Sequence, residues 1–230
     1  MAGRPRDDRA RNVILRRAAD IASQDGLEGL SIGRLATDLG VSKSGLFGYF
    51  GSKEELQLAT IRTATGIYLD EVIQPALTVP PGLGRVRRLC ENWLSYSQRR
   101  VFPGGCFFFA VTAEFDARPG RVRDAVAAAS LDWSRLVTRT IDDARQLGEL
   151  ADDTDADQLA FELIAFLETA NARSLLHDDP NAYERGRTAI RKHLDAATTV
   201  KGHVSRLLTK LGLNNRVQVA LLVYDAELPR

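Results

Sequence analysis

Cysteine, methionine, histidine and tryptophan are scarce in this 230-residue sequence, with two, one, three and two copies. Cys90 and Cys106 sit among apolar neighbours without CxxC or Cys/His spacing. That pattern points to buried thiols rather than a disulfide or a metal site. His177, His193 and His203 are scattered, and none shares a motif with a second ligand; neither a metal nor a cofactor is expected. No run reaches the roughly 18 apolar residues of a membrane span, and MAGRPRDDRARN lacks the apolar segment of a secretory signal. A cytoplasmic protein without a membrane partner is expected. The chain also lacks paired carboxylates in a shared motif and any Ser/His/Asp or Cys/His arrangement, and Pro81-Gly82-Leu83-Gly84 is a weak phosphate loop. No catalytic residue is expected, and the chain is read as not an enzyme.

What is present is a hydrophobic content of 44%, enough for a sizeable core, with a net charge of +1 that is unevenly spread. The first segment carries Arg4, Arg6, Arg9, Arg11, Arg16 and Arg17 against Asp7 and Asp8. From Glu149 to Glu184 acids dominate, and the tail turns basic again through Lys192, Lys201, Arg206, Lys210 and Arg216. Local clustering of this kind, not the total, is the footprint of a nucleic-acid binder. Helical periodicity runs throughout and no convincing strand alternation occurs. The expectation is an all-α fold of about nine helices, broken at glycine and proline positions.

The first helix is placed at about residues 8–24, with Ile14, Ala18, Ile21 and Ala22 on one face and Gly26 stopping it. Ile32, Leu35, Ala36 and Leu39 give a short one-sided helix behind the hydroxyl N-cap Ser31. Gly40-Val41-Ser42 supplies a glycine turn, an apolar plug between helices and a second N-cap. A third helix covers residues 43–49, and Ser52-Lys53-Glu54-Glu55 is a capping box opening a long fourth. Two short helices across a tight turn are the layout of a helix-turn-helix. Packing through Leu46 and Phe50 leaves Lys43, Ser44, Gly48 and Tyr49 facing out, with Phe47 between the faces and no acid among them. A helical hairpin buried in a core has the same periodicity.

The run from Ile14 to Leu58 resembles the DNA-binding domain of the TetR family of regulators. The matching residues are Ile14, Ala18, Ala19, Gly26, Leu30-Ser31-Ile32-Gly33-Arg34-Leu35-Ala36, Gly40 to Phe47, Phe50 and Ser52-Lys53-Glu54-Glu55-Leu56. Phe47 and Tyr49 depart from the commonest pattern of tyrosine and histidine, and Phe47 lacks the hydroxyl that often touches phosphate. The resemblance implies a homodimer whose paired recognition helices enter successive major grooves of a palindromic site on double-stranded DNA, released by a small-molecule effector. By role, Lys43, Ser44 and Tyr49 are assigned to groove and base contacts. Ser31, Arg34, Ser42 and Lys53 are assigned to phosphates, and Arg4 and Arg6 to a flexible arm that reaches the minor groove.

This divides the chain into a helix-turn-helix domain at 1–52, an effector-binding and dimerisation domain at 53–197 and a tail at 198–230. The middle part resembles the family's C-terminal domain more loosely. Trp93, Tyr96, Phe102, Phe107, Phe108, Phe109, Phe115 and Trp133 concentrate ring surface there, and all of these but Phe109 are the candidate lining of an effector pocket; rings that simply fill the core are the alternative. Helices within 155–197, with Leu159, Leu163, Ile164, Phe166, Leu167, Ala170, Ala189, Ile190 and Leu194, are those that pair with their symmetry mates in the resembling family.

The tail resembles the last two helices of a LuxR/NarL-type DNA-binding domain, through Thr199-Val200-Lys201-Gly202-His203 to Leu211 and Arg216 to Ala220. It covers half of that module. Without the other half the apolar faces of Val204, Leu207, Leu208, Leu211, Val219 and Leu222 need another cover. The reading is a transcriptional regulator, with a repressor favoured. A small-molecule-binding protein or enzyme with a vestigial helix-turn-helix is the alternative, and a helical interaction module using the tail a third reading.

Overall fold

Residues 5–213 and Gln218 are described by a computed structural model of the chain. The order is α1 (Pro5–Gly29), α2 (Ile32–Leu39), α3 (Lys43–Phe50), α4 (Lys53–Tyr68), a π-helical turn (Leu69–Ile73), α5 (Gln74–Leu77), α6 (Leu83–Gln98), α7 (Phe107–Phe115), α8 (Arg121–Gln146), α9 (Ala156–Leu176), α10 (Ala182–Ala196) and α11 (Val200–Leu211). Among the described residues only two isolated bridges, Phe102 with Gly105 and Leu150 with Thr198, depart from helix and turn. The fold is all-α, as the periodicity predicts.

Residues α1 to α3 close a small core in which Ile14, Ala18, Leu30, Leu35, Leu46 and Phe50 are buried. The first helix does not stop at residue 24. It kinks at Gly26 (φ 75, ψ 167), and a last turn runs on to Gly29. At the other end it already begins at Pro5, so Arg6 stands in its first turn rather than in an arm, while Arg4 lies outside the described residues. Ion pairs from Arg17 to Asp38 and from Arg34 to Asp25 stitch α1 to α2. Val41, expected to plug the interhelical angle, stays 47% exposed. Leu35 and Leu46 are buried side chains of the two short helices, and Val41 contributes its backbone N–H to the Ala36 carbonyl.

From the Ser52 cap, α4 runs out of this unit and between α1 and α8. Its continuation is the π turn, a geometry often found at functional sites. There the Asn92 amide of α6 donates to the Val72 carbonyl at 3.0 Å. The second unit packs α9 against α8 and α10, with α6 against α8, α9 and α10. A buried cluster of hydroxyls and an amide fixes this assembly: Ser97 Oγ donates to Asn171 Oδ1 at 2.7 Å, and Tyr183 Oη lies 2.8 Å from Ser97 and 3.0 Å from Ser174. These hydroxyls and the Asn171 carbonyl oxygen are paired as buried polar groups generally are, whereas Asn171 Nδ2 has no partner among the described residues.

Hydrogen bonds tie the start of the tail to the body, with Thr199 N–H donating to the Glu149 carbonyl at 3.0 Å and Thr199 Oγ1 to that of Gly148 at 2.6 Å. Helix α11 then presents Val200, Leu207 and Leu211 at the surface, and a shallow groove joins it to Arg87, Arg191 and Asp195. The second half of the LuxR-like stretch, apart from Gln218, lies outside the described residues.

Candidate nucleic-acid interface and effector cavity

Three serines set the register of the helix-turn-helix. Ser31, Ser42 and Ser52 each occupy an N-cap with extended backbone and accept the N–H three residues on, from Arg34, Gly45 and Glu55, at 3.1 Å. Between α2 and α3, Gly40 adopts a left-handed φ of 66, which sends its own N–H back to the Ala36 and Thr37 carbonyls. Ser44 Oγ donates to Ser42 Oγ at 3.3 Å. Because the Ser31 and Ser42 oxygens accept in these bonds, their hydroxyl protons remain for an acceptor such as a phosphate oxygen. The N-terminal end of α3 thus combines N–H groups without helical partners with a cation and no acid in its first turn.

Leu46 and Phe50 bury one face of α3, and Lys43, Ser44, Gly45, Phe47, Gly48 and Tyr49 line the other at the surface. Phe47, placed between the faces by its spacing, is 56% exposed, the largest apolar surface on this helix. Lys43 lies across α2, where a Cβ on Gly33 would sit 3.2 Å from its Cε, and no described carboxylate pairs with it. Arg34 and Lys53, also expected at phosphates, are engaged: Arg34 with Asp25, and Lys53 with the Glu28 carboxylate at 3.1 Å and carbonyl at 2.9 Å. The Lys53 ammonium holds the Glu28 carboxyl below its usual range. On the flank, the Arg11 guanidinium lies 5.7 Å from the Phe50 ring centroid.

In the second unit a cavity of about 240 Å³ opens between α4, α6, α7, α8 and α9. Of the predicted rings, Trp93, Phe108 and Trp133 line it, as does Phe109. Tyr96, Phe102, Phe107 and Phe115 do not. All four are buried: Tyr96, Phe102 and Phe107 pack ring against ring in a chain that starts at Tyr68, at centroid distances of 5.6 to 6.0 Å, and Phe115 lies under the Arg118 guanidinium at 5.9 Å. The correction has a simple cause: neighbouring rings on α7 point to opposite sides of the helix, and content alone does not tell which side is hollow. Tyr68 and Glu168 were missed. Glu168 had a signal, an acid set within the apolar stripe of Leu163, Ile164 and Leu167; Tyr68 had none.

Cys106 also lines the cavity, and burial pushes its thiol up to about 11 and that of Cys90 up to about 12. Both thiols stay protonated and inert at neutral pH. Among the described residues no three potential ligands gather as a metal would require, and no helix is long and apolar enough to cross a membrane.

One short helix connects cavity and DNA-facing unit. Phe108, Phe109 and Thr112 of α7 face the cavity, and two residues further Glu114 reaches the kink in α1. Its two carboxylate oxygens accept the N–H groups of Leu27 and Glu28, each at 2.7 Å. These amides begin a new turn after the break at Gly26 and have no helical partner of their own. A Cβ on Gly26 would lie 2.6 Å from the carboxylate, so the close approach requires glycine there. A second link runs from Arg121, at the start of α8, to Glu54 at 3.0 Å and Glu55 at 2.7 Å in the first turn of α4.

Residues 14–60 match the family described as bacterial regulatory proteins, tetR family, and residues 82–190 match the Tetracyclin repressor-like C-terminal domain. The chain belongs to the TetR family. As a TetR-family protein it is a DNA-binding transcriptional regulator with a helical ligand-binding domain. Similar solved structures include a TetR transcriptional regulator from Chloroflexus aurantiacus, 22% identical over 85% of this chain and 98% of that one, with a TM-score of 0.77. A putative transcriptional regulator from Saccharomonospora viridis in complex with choline is 23% identical over 82% and 96%, with a TM-score of 0.71. AibR in complex with isovaleryl coenzyme A and operator DNA is 18% identical over 77% and 94%, with a TM-score of 0.63. No curated protein matches the chain.

Proposed function

We propose that this TetR-family chain is a cytoplasmic, homodimeric repressor that leaves a palindromic operator when a small molecule fills the cavity behind α7. The observation that carries this reading is Glu114, whose carboxylate joins the helix walling the cavity to the turn that precedes the helix-turn-helix. A shift of α7 on ligand entry moves the anchor of α1, and through it the separation of the two recognition helices. Relatives solved with choline, or with isovaleryl coenzyme A and operator DNA, support a small-molecule effector of some kind without naming the one used here. In this reading Lys43, Ser44 and Tyr49 contact the groove, with Phe47 added for its exposure. Ser31 and Ser42 contact phosphates at once, whereas Arg34 and Lys53 do so by exchanging Asp25 and Glu28 for phosphate oxygens. Arg4 and Arg6 supply further charge at the N-terminal end.

Dimerisation is assigned to α9 and α10, where Phe161 and Leu176, four turns apart on one face of α9, are 69% and 78% exposed. Two reading heads double the phosphate contacts and read two half-sites, which a single head cannot match at cellular salt. Nothing in the cavity assembles a nucleophile with a base, so a bound effector is expected to leave unchanged, and recovery of unaltered ligand checks this. The decisive experiment is a footprint on the DNA upstream of the chain's own gene. Protection of a palindrome at low salt by the intact protein is expected, and no protection of any site overturns the proposal.

A further inference from the structure

The walls of the cavity are one-sided in charge. Its lining holds the carboxylates of Glu168 and Asp132 and no lysine, arginine or histidine. Glu168 keeps an exposed surface beside the cavity and has no ion pair or hydrogen bond among the described residues, and desolvation of the part it does bury raises its pKa. Tyr68 also borders the cavity, and its hydroxyl is fully buried with no hydrogen-bond partner among the described residues. Two further hydroxyls, of Thr65 and Thr112, donate to the Ile61 and Phe108 carbonyls of their own helices at 2.9 and 2.7 Å. What they hold toward the cavity is therefore acceptor capacity. Between these oxygens stand ring surfaces, with Tyr68 edge-on to Phe108 and Trp133 at centroid distances of 5.7 and 5.5 Å.

We propose that the cavity recognises a protonated organic amine with an aromatic or branched apolar body, its ammonium taken by the Glu168 carboxylate and the Tyr68 hydroxyl and its body by the aromatic walls. This deepens the effector reading above and rests on it. An ammonium carries N–H donors and no acceptor, the complement of these oxygens. Its charge is attracted by the ring faces as well as by the carboxylate. An anionic effector would sit beside two carboxylates with no cation to offset it, and a wholly apolar one would strip water from Glu168 without replacing it. With a volume of about 240 Å³, the cavity suits a small amine rather than a cofactor-sized molecule.

The chain's two tryptophans, Trp93 and Trp133, both line this cavity, so intrinsic tryptophan fluorescence of the full chain reports its occupancy. Benzyl-, phenethyl- and 3-phenylpropylammonium are titrated beside the alcohol and carboxylate of matching length. The expected result is saturable quenching by at least one ammonium, about tenfold tighter than its alcohol, with the carboxylate weakest. Glu168→Gln removes that preference while binding of the alcohol is unchanged. An alcohol or carboxylate that binds as tightly as the ammonium overturns the proposal, as does a preference that survives Glu168→Gln or the absence of binding by every ammonium. Operator release is followed in parallel. If a carboxylate both binds and releases DNA, only the amine chemistry fails; if an ammonium binds as expected and operator affinity stays constant, the amine site stands and the effector reading fails.

Discussion

Lys43 begins α3 with its charge unclaimed by any described carboxylate, whereas Arg34 and Lys53 must each give up an acid to meet DNA. Lys43→Ala is therefore expected to weaken operator binding by at least about 1 kcal/mol, with a smaller loss for Arg34→Ala, in a gel-shift titration. A phosphate role for Lys43 also lowers the salt slope by roughly one. The sequence alone shows the outward face of α3, because local spacing settles which residues Leu46 and Phe50 leave free. It does not show which cations are free, because Asp25 and Glu28 arrive from the kinked end of α1, nine and 25 positions away. At the thiols, the raised values of about 11 and 12 against an ordinary 9.0 carry a pH dependence. Below pH 9 folded and unfolded chains both keep these protons; above it only the unfolded chain releases them, so stability falls as pH climbs from 9 toward 12. Thermal melts across that window check the direction, and Cys90→Ala with Cys106→Ala is expected to flatten the decline. Native protein at pH 7 is expected to resist thiol alkylation.

At the scale of an element, the turn Leu27 to Gly29 is held from outside its own helix. Glu114→Ala removes a charge-assisted acceptor from two amides, and a loss of about 2 kcal/mol is expected in urea melts. Hydrogen exchange is the sharper readout: the Leu27 and Glu28 amides lose protection while those of α9 keep theirs. Gly26→Ala is destabilising for two reasons, the positive φ and the carboxylate at 2.6 Å. Because both changes act on one contact, the double variant is expected to lose less than the sum. The helix limits of α2 and α3 could be read from caps and apolar spacing to within a residue. The kink in α1 could not, since Gly26 looks like a stop until the distant Glu114 supplies the partner that lets the chain resume helix. The same limit applied to the cavity, whose hollow side is decided by how α4, α7 and α8 meet.

For the whole molecule, the proposed dimer makes a direct prediction. Phe161→Glu combined with Leu176→Glu is expected to give a monomer in light scattering and to cost most of the operator affinity, leaving the tryptophan-reported cavity intact. Deleting residues 200–230, which keeps the Thr199 bonds to the 148–149 turn, is expected to leave operator binding within about twofold, since one complete reading head per chain remains. All-α architecture was open to a reader of the sequence because each helix carries its own period; the assembly of helices was not, because long-range pairs such as Arg121 with Glu54 and Glu55 leave no periodic trace. Those long-range pairs also bear on engineering. Arg16 bonds to the Val101 carbonyl, Gly104 N–H bonds to Ser23 Oγ at 3.1 Å with no room for a side chain, and Glu114 grips the kink. A hybrid regulator spliced at residue 52 onto a foreign sensor would cut none of its own helices and yet leave α1 without its cradle. The transplantable part is α1 to α3 together with the strap from Val101 to Phe115, so sensor swaps succeed only between chains whose straps are interchangeable.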